Sequence, residues 1–423
     1  MRTVGAFRRR AAILCTITVL VGCGLAVLAD DAERASTSQL SSEASAVYDA
    51  VLSELAEGNA RFALDLYHAL TEAGSTNLFF SPYSISAALA MTYAGARGET
   101  ERQMRDALWF TLPQQVLHPA FHALDADLIG RIEGIDGVRL SIANALWGQN
   151  AYPFLPEFLD RIETSYGAPI RRTEFAGDPE QARVDINEWV RGKTEGLISD
   201  LMAPGSITPE TRLVLANAIH FLGTWKHPFD EELTQDAPFH RLDGSEVSVP
   251  MMVADASYRC TAGEGFLAVE LPYAGDRLSM LILLPDEGMF GTFEAAFTAE
   301  RLDAIVSQMY AQKVWLAMPR FELASEFSLA GVLADLGMPD AFSSGADFSG
   351  MDGTRDLFID DVVHKAYVSV DEKGTEAVGA TGVIMTLSLP QMVRVDRPFL
   401  FLIRDVETGT ILFMGRVTDP SAG

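Results

Sequence analysis

Two apolar stretches near the C-terminus place the strongest constraint on the fold. Residues 399–404 and 411–417 are almost entirely apolar, and the segment between them is polar and contains a glycine. This pattern predicts a hairpin of two strands. Because apolar residues occupy both faces of each strand, the hairpin must belong to a sheet that is covered on both sides. The chain can supply such a cover, since it has 423 residues, of which 48% are hydrophobic and 21% charged.

Helical patterns precede the strand patterns along the chain. Apolar residues from Val51 to Leu70 recur at helical spacing, and Ser81 followed by Pro82 is typical of a helix N-cap with proline in the first turn. Helices first and strands later predict an α+β fold, with one large domain over residues 55–420. The apolar runs that indicate further strands are 213–221, 267–271, 278–284 and 314–318.

The charge balance and the absence of catalytic motifs exclude several functions. The net charge of −26 would repel phosphate backbones and sulfated polysaccharides, so we expect no nucleic-acid partner and no heparin binding. No nucleophile-elbow, zinc-protease, dinucleotide-binding or phosphate-loop motif occurs. His118 and His122 have the spacing of helical metal ligands, but Pro119 separates them and no ligand cluster is near. We therefore expect neither an enzyme nor a metal or other cofactor.

The N-terminus has the pattern of an export signal. Residues 8–10 are arginines and residues 11–20 are apolar, so we predict a signal over residues 1–29. Residues 30–54 are predicted to hold a polar linker and the start of the first helix. On this basis we predict a bacterial protein that is secreted, extracellular or periplasmic.

Two processing sites compete within this signal. Residues 20–23 resemble a lipobox, in which Cys23 would carry the lipid and make the protein a membrane-anchored lipoprotein. Residues 27–29 resemble an ordinary small-residue cleavage site. A retained membrane anchor is a third alternative. Apart from such an anchor we expect no contact with a membrane, and we expect a monomer.

The most unusual segment is uncharged, because no Asp, Glu, Lys or Arg occurs from residue 377 to residue 393. Its glycines make it a poor central strand, and permanent exposure would make it prone to aggregate. In an extended conformation one of its faces would carry only uncharged residues, the first four of them small. That face suits insertion between two existing strands, with an edge strand or a flexible linker as the alternative. Its residues are Thr375, Ala377, Gly379, Thr381, Val383, Met385 and Leu387.

Several motifs follow one another in a recognisable order. They are NLFFSPYSISAALAM (77–91) with GARGET (95–100), NEWV (187–190), NAIHFLGTW (217–225), ELPY (270–273), MPRF (318–321), VHK (363–365), VDEKGTEAVGAT (370–381) and RPFLF (397–401). In this order they resemble the motifs of the serpins, a family of suicide-type serine protease inhibitors. The resemblance extends over roughly residues 55–420.

The resemblance implies a fold and a mechanism. A serpin has three β-sheets, about nine helices and an exposed reactive-centre loop, here at about residues 372–393. A target protease attacks the loop as a substrate and forms an acyl-enzyme. The cleaved loop then inserts into the main sheet and traps the protease, a form of strand addition that releases stored strain. The implied partner is therefore a serine protease, held in a covalent complex.

The resemblance also implies three sets of functional residues. The hinge of the loop, which enters the sheet first, comprises Glu372, Gly374, Thr375, Ala377, Gly379 and Thr381. The shutter, a buried polar cluster across the strands that separate, comprises Ser81, Ser84, Asn217 and His364. The breach, where insertion starts, contains Trp225 together with Glu372. The hinge carries no bulky or charged residue at its inward positions, so we favour an inhibitor over the alternative of a non-inhibitory serpin that acts as a binding or chaperone-like protein.

The position of the scissile bond depends on how the loop is counted. Counting from Gly374 places it after Ser388, before Leu389, and counting back from Arg397 places it after Leu387. Both bonds stay open, and Met385 and Thr386 are further candidates, although a leucine side chain suits an apolar specificity pocket better. No Lys or Arg occurs between residues 373 and 394. This disfavours trypsin-like targets and predicts chymotrypsin-, elastase- or subtilisin-like ones.

Overall fold

The structure, a computed structural model, describes residues 37–71, 74, 76–167, 169–375 and 390–422. Ten α-helices and two 3-10 helices lie within these residues. The α-helices are α1 (Thr37–Thr71), α2 (Pro82–Tyr93), α3 (Gly98–Ala107), α4 (Gln114–Ile132), α5 (Pro156–Tyr166), α6 (Pro179–Lys193), α7 (Phe290–Ala295), α8 (Ala299–Gln308), α9 (Ala330–Asp335) and α10 (Ser349–Asp352); the 3-10 helices are Glu231–Leu233 and Pro339–Phe342.

The same residues contain fifteen β-strands. They are β1 (Leu78–Phe80), β2 (Val138–Gln149), β3 (Arg171–Thr173), β4 (Leu213–Thr224), β5 (Gln235–His240), β6 (Glu246–Gly263), β7 (Phe266–Pro272), β8 (Leu278–Pro285), β9 (Tyr310–Pro319), β10 (Phe321–Ser328), β11 (Val363–Val370), β12 (Gly374–Thr375), β13 (Gln391–Arg394), β14 (Phe399–Asp405) and β15 (Ile411–Val417).

The strands form one sheet of six and one of nine. The six-stranded sheet has the order β10-β11-β4-β2-β3, with β12 paired to β4, and the nine-stranded sheet has the order β1-β15-β14-β8-β7-β6-β9-β13, with β5 paired to β6. Three sheets were predicted, and the described residues show two because the 18-residue strand β6 pairs with both β7 and β9. That strand joins what would otherwise be two separate sheets.

The apolar hairpin predicted from the sequence is confirmed. Strands β14 and β15 pair antiparallel, and all seven residues of each are buried. On one face, aromatic rings fill the space between the two sheets: Phe79 stacks on Phe401 and Phe413, and Phe321 of the six-stranded sheet packs against Phe401 at 5.4 Å. This layer accounts for the aromatic residues on that face of the hairpin.

Helix α2 is buried along its whole length, between β15 of one sheet and β4 of the other. The helix begins with the cap that the sequence predicts. The Ser81 hydroxyl accepts a hydrogen bond from the Ser84 N–H at 3.2 Å, and Pro82 is the first helical residue. The cap satisfies a backbone donor that would otherwise be buried without a partner. It also fixes both serines beneath the six-stranded sheet.

A glycine in β15 permits the close approach of β1. A Cβ atom at Gly415 would lie 2.5 Å from the Leu78 carbonyl oxygen and 2.7 Å from the Phe401 ring. We therefore expect Gly415→Ala to lower the free energy of unfolding by about 1–3 kcal/mol, measured by urea unfolding. The control Gly130→Ala lies in α4 with open space around it, and it should raise stability by about 0.5–1 kcal/mol. Equal effects of the two substitutions would contradict this packing argument.

Candidate functional site

The six-stranded sheet is only partly closed between its two parallel central strands. Strand β11 pairs with β4 at three positions, from Val363 opposite Ala216 to Lys365 opposite Ala218. At the other end of β4 the short strand β12 pairs antiparallel, with Gly374 opposite Thr224. Between these two contacts, β4 positions 219–222 pair with no described residue on this side. The sheet thus has a slot whose mouth is occupied by the start of the predicted hinge.

The chain turns sharply into this mouth. The Asp371 carboxylate accepts hydrogen bonds from the N–H groups of Lys373 and Gly374 at 2.8 and 3.0 Å. Gly374 then lies so close to β4 that a Cβ atom would be 2.0 Å from the Gly223 carbonyl oxygen. Only glycine fits this contact without displacing a strand.

Thr375 follows with its side chain directed into the protein. It is 2% exposed, and its hydroxyl lies 2.9 Å from the hydroxyl of Tyr273. The Tyr273 ring in turn packs edge-on against Phe221 of β4 at 4.8 Å. The inward face of the hinge therefore begins in a closely packed, mostly apolar environment.

Trp225 holds the backbone that precedes the hinge. Its N–H donates to the Lys373 carbonyl at 2.8 Å, and its indole N–H donates to the Asp371 carbonyl at 3.0 Å. Its ring stacks on Tyr273 with a centroid distance of 4.5 Å and is 2% exposed. The residue predicted for the breach thus contacts the predicted hinge directly.

Glu372 is a buried carboxylate with two side-chain partners. It accepts hydrogen bonds from Arg320 at 2.6 Å to both oxygens and from the Thr234 hydroxyl at 2.8 Å, while its carbonyl accepts from the Phe229 N–H. Burial by itself would raise the pKa of Glu372, but the hydrogen bonds from Arg320 and Thr234 lower it below its usual value. The carboxylate stays ionised and fixes the hinge to the sheet.

The four residues predicted for the shutter lie together in one buried network. Ser81 donates its N–H to His364 Nε2 at 3.1 Å, and His364 Nδ1 lies 2.9 Å from Asn217 Oδ1. The Asn217 amide donates to the Ser84 carbonyl at 2.7 Å and to Asn144 Oδ1 at 2.6 Å. His364, Asn217 and Asn144 belong to three adjacent strands at one level of the sheet. The network therefore ties β11 to β4 at their short contact.

The contacts of His364 define its protonation. A backbone N–H can only donate, so Nε2 must accept from Ser81 and carries no proton. The proton is then on Nδ1, which donates to Asn217. His364 is fully buried, and burial lowers its pKa to about 3. A proton on Nε2 would face the Ser81 N–H and break the link between sheet and helix.

Tyr273, Arg320 and Asn144 are among the residues of this site that were not singled out from the sequence. Tyr273 and Arg320 lie in the ELPY and MPRF motifs, so a signal for them was present. Asn144 lies in a strand without any recognised motif, and only the pairing of β2 with β4 places it opposite Asn217. The other predicted site residues fall outside the described residues; these are Cys23, Ala377, Gly379, Thr381, Leu387, Ser388 and Leu389.

Comparison with known proteins identifies the family. A family model described as Serpin (serine protease inhibitor) matches residues 57–420. The human leukocyte elastase inhibitor is 41% identical over 384 residues, covering 87% of this chain and 100% of the relative, and Serpin B6 of Macaca fascicularis is 41% identical over 377 residues, covering 86% and 99%. The chain belongs to the serpins, which are protease inhibitors and not enzymes.

The fold comparison agrees with this assignment. The structure of uncleaved ovalbumin matches with a TM-score of 0.78 at 30% identity, covering 86% of this chain and 100% of that one. The predicted serpin fold is confirmed.

The prediction of a bacterial secreted, periplasmic or lipid-anchored protein is contradicted. The leukocyte elastase inhibitors and Serpin B6 lack signal peptides, and their full or nearly full length is accounted for by the part of this chain that matches them. An apolar run after three arginines is a local pattern that does not by itself define a compartment. Among the described residues, no helix combines the length and apolar character needed to cross a membrane.

The neutral state of His364 predicts a pH dependence of stability. Its pKa is about 3 in the folded protein and about 6.5 in an unfolded chain, so between these values the unfolded state binds more protons. This residue should make the free energy of unfolding fall as pH decreases through that range, by up to about 1.4 kcal/mol per pH unit. In His364→Gln the loss between about pH 6.5 and pH 4.5 should be smaller than in the wild type, measured by urea unfolding.

The control for this measurement is Ser84→Ala, which removes an uncharged hydroxyl from the same buried network. It should lower stability without changing the slope of its pH dependence. Parallel profiles for the wild type and His364→Gln would show that the shutter histidine does not titrate as described.

Proposed function

We propose that this serpin inhibits elastase-, chymotrypsin- or subtilisin-like serine proteases by covalent trapping and insertion of its cleaved reactive-centre loop. The observation that carries the proposal is the pairing of Gly374 and Thr375 with β4 at the mouth of the slot. The start of the hinge is already in strand conformation and in register with the sheet. The first step of insertion is therefore the continuation of the following residues along β4.

The register of β12 predicts where the hinge would go. If β12 continued along β4 in the same register, Ala377 would lie opposite Phe221, Gly379 opposite Ile219 and Thr381 opposite Asn217. These hinge residues share a face with Thr375, whose side chain points into the core. The β4 residues on that face, including Ile219 and Phe221, are buried. The buried face beside Ile219 and Phe221 can therefore accept small uncharged residues.

Full insertion would require the shutter to open. Residues beyond about position 379 would enter where β11 now pairs with β4, between Lys365 and Ala218 and then between His364 and Asn217. The inserted strand would break the pairing of β11 with β4 at three positions. In return it would form a continuous ladder of hydrogen bonds with both strands. At about 1 kcal/mol net per hydrogen bond over about a dozen residues, the gain is on the order of 10 kcal/mol. Separation of the shutter residues is thus the energetic barrier to insertion, and cleavage of the loop allows the chain to cross it.

The chemical step precedes insertion. The protease serine attacks the carbonyl of the residue before the scissile bond, the new amino terminus leaves, and an ester joins the loop to the protease. The bond is Leu387–Ser388 or Ser388–Leu389, within a segment that contains no Lys or Arg. Similarity to proteins named leukocyte elastase inhibitor supports an apolar, elastase-like preference.

The first test is formation of a trapped complex. Incubation with pancreatic elastase or chymotrypsin should give a complex that survives SDS, and trypsin should give none. Mass spectrometry of the released C-terminal peptide should show Ser388 or Leu389 as its first residue. Cleavage by every protease of the panel without any stable complex would contradict the inhibitor proposal and favour the binding or chaperone-like alternative.

The second test uses the hinge. Thr375→Arg would bury a guanidinium beside Tyr273, at a cost of several kcal/mol, so the variant should be cleaved as a substrate without trapping the protease. Thr375→Ser keeps the hydroxyl and the small volume and should retain trapping. A Thr375→Arg protein that still forms the complex would show that this face does not enter the sheet.

The third test is thermal stability. Cleavage of the loop should raise the melting temperature by at least about 10 °C, because the inserted strand adds its ladder to the native state. Thr375→Arg should show a clearly smaller rise. An unchanged melting temperature after complete cleavage of the wild type would contradict insertion.

A further inference from the structure

A polar cavity lies away from the slot, where helices α3, α4 and α5 meet. Its volume is about 530 Å3, which is within the usual size of small-molecule sites. No residue of the hinge, breach or shutter lines it. Its polar lining includes Tyr93, Arg97, Glu101, Arg105, Gln114 and Arg161.

Two arginines on the wall of this cavity form no salt bridge with a carboxylate of the described residues. Arg97 Nη1 donates to the carbonyl of Ala94 at 3.1 Å and to that of Ala96 at 2.6 Å. Arg161 Nη1 donates to Gln114 Oε1 at 3.2 Å and approaches the same Ala94 carbonyl at 3.5 Å. Within the described part of the chain, no carboxylate oxygen lies within 4.0 Å of either guanidinium. Two like charges thus converge on one carbonyl without a salt-bridged counter-ion, although the charge of Arg97 helps to lower the pKa of the Asp347 carboxyl.

This arrangement is unusual because the protein is strongly acidic. The chain contains 58 Asp and Glu against 32 Lys and Arg, so a carboxylate is the expected neighbour of a half-buried arginine. Like charges at close range repel, and at a partly buried site solvent screens the repulsion only in part. Burial, and after it the charge of Arg161, lowers the pKa of nearby His118 to about 3. An anion would relieve this repulsion.

The start of helix α4 adds to the same potential. Pro113 precedes the helix and provides no side-chain cap, and the first turn contains no acidic residue. The first backbone N–H groups of a helix lack intrahelical partners and favour an anion. Gln114 and Gln115, which begin this helix, both line the cavity.

The binding groups are held in place before any ligand arrives. The Arg97 guanidinium packs so closely against Gly350 that a Cβ atom there would lie 2.4 Å from its Cζ. Gln114 is buried and donates to the Tyr93 carbonyl at 3.1 Å and to the Glu101 carboxylate at 2.9 Å. Fixed donors lose little conformational freedom on binding, which favours affinity for a small ligand.

Glu101 restricts what the cavity can accept. Its carboxylate would repel a second negative group on that side, but it can accept a hydrogen bond from a hydroxyl. We propose that the cavity binds a small hydroxylated oxyanion, such as a sugar phosphate or a hydroxycarboxylate, with the anionic group between Arg97 and Arg161 and a hydroxyl on Glu101. Both ligands offer the same chemistry, a compact anion beside a hydroxyl group.

The test measures binding of glucose 6-phosphate and of lactate to the intact protein by calorimetry, with glucose and with sodium chloride at matched ionic strength as references. At least one of the two anions should bind saturably at one site, and neither reference should. Arg161→Gln should weaken that binding about tenfold, the effect of losing one charge-assisted hydrogen bond. Which anion binds will distinguish the phosphate from the carboxylate.

Two further variants separate binding from folding. Glu101→Gln removes the repelling charge, while its amide oxygen can still accept from Gln114, so affinity for the anion should rise several-fold. Arg139→Gln makes the same charge change as Arg161→Gln at a side chain that is 69% exposed on β2, and it should bind as the wild type does. The proposal is overturned if neither anion binds beyond the chloride reference. It is also overturned if Arg161→Gln and Arg139→Gln weaken binding equally or if Glu101→Gln weakens it.

Discussion

The short parallel contact between β11 and β4 is the interaction on which the rest of this structure depends. Parallel pairing is slightly less stable per residue than antiparallel pairing, and here it extends over three positions only. On its other side, strand β4 pairs antiparallel with β2 over eleven positions. The weakly paired boundary of the sheet therefore lies between β4 and β11. A strand that entered there would separate few existing bonds and form many.

Two groups of polar residues stabilise this weakly paired boundary at its opposite ends. At one end, His364 and Asn217 join the strands to each other and to the capped start of α2. At the other end, Trp225, Glu372 and Arg320 fix the backbone that leads into the hinge. Each group is paired, and all of its members except the half-exposed Arg320 are buried; a buried polar network is costly to break partially. The two groups together therefore stabilise the sheet in the state that the structure shows.

The sequence allowed much of this site to be predicted, and the reasons differ from residue to residue. Ser81 and Pro82 form a local capping pattern whose geometry depends on a few residues only. Glu372 and Trp225 were found through motifs, and the structure brings them together at the mouth of the slot. Asn144 has no local signal, because its role depends on the register of two strands more than seventy residues apart. The export signal was a local pattern too, and there the comparison with whole relatives contradicted it.

The amino-acid sequence by itself determined the covered hairpin, the α+β class, the family motifs and the uncharged segment with its small residues on one face. These follow from residue type and spacing, which act over short distances along the chain. Only the tertiary structure decided that β11 and β4 meet at three positions, that Gly374 lies against Gly223, and that Arg97 and Arg161 converge on Ala94 without a salt bridge. Such facts depend on the packing of elements distant in sequence, because strand register, close backbone approach and the pairing of charges are set by three-dimensional contacts.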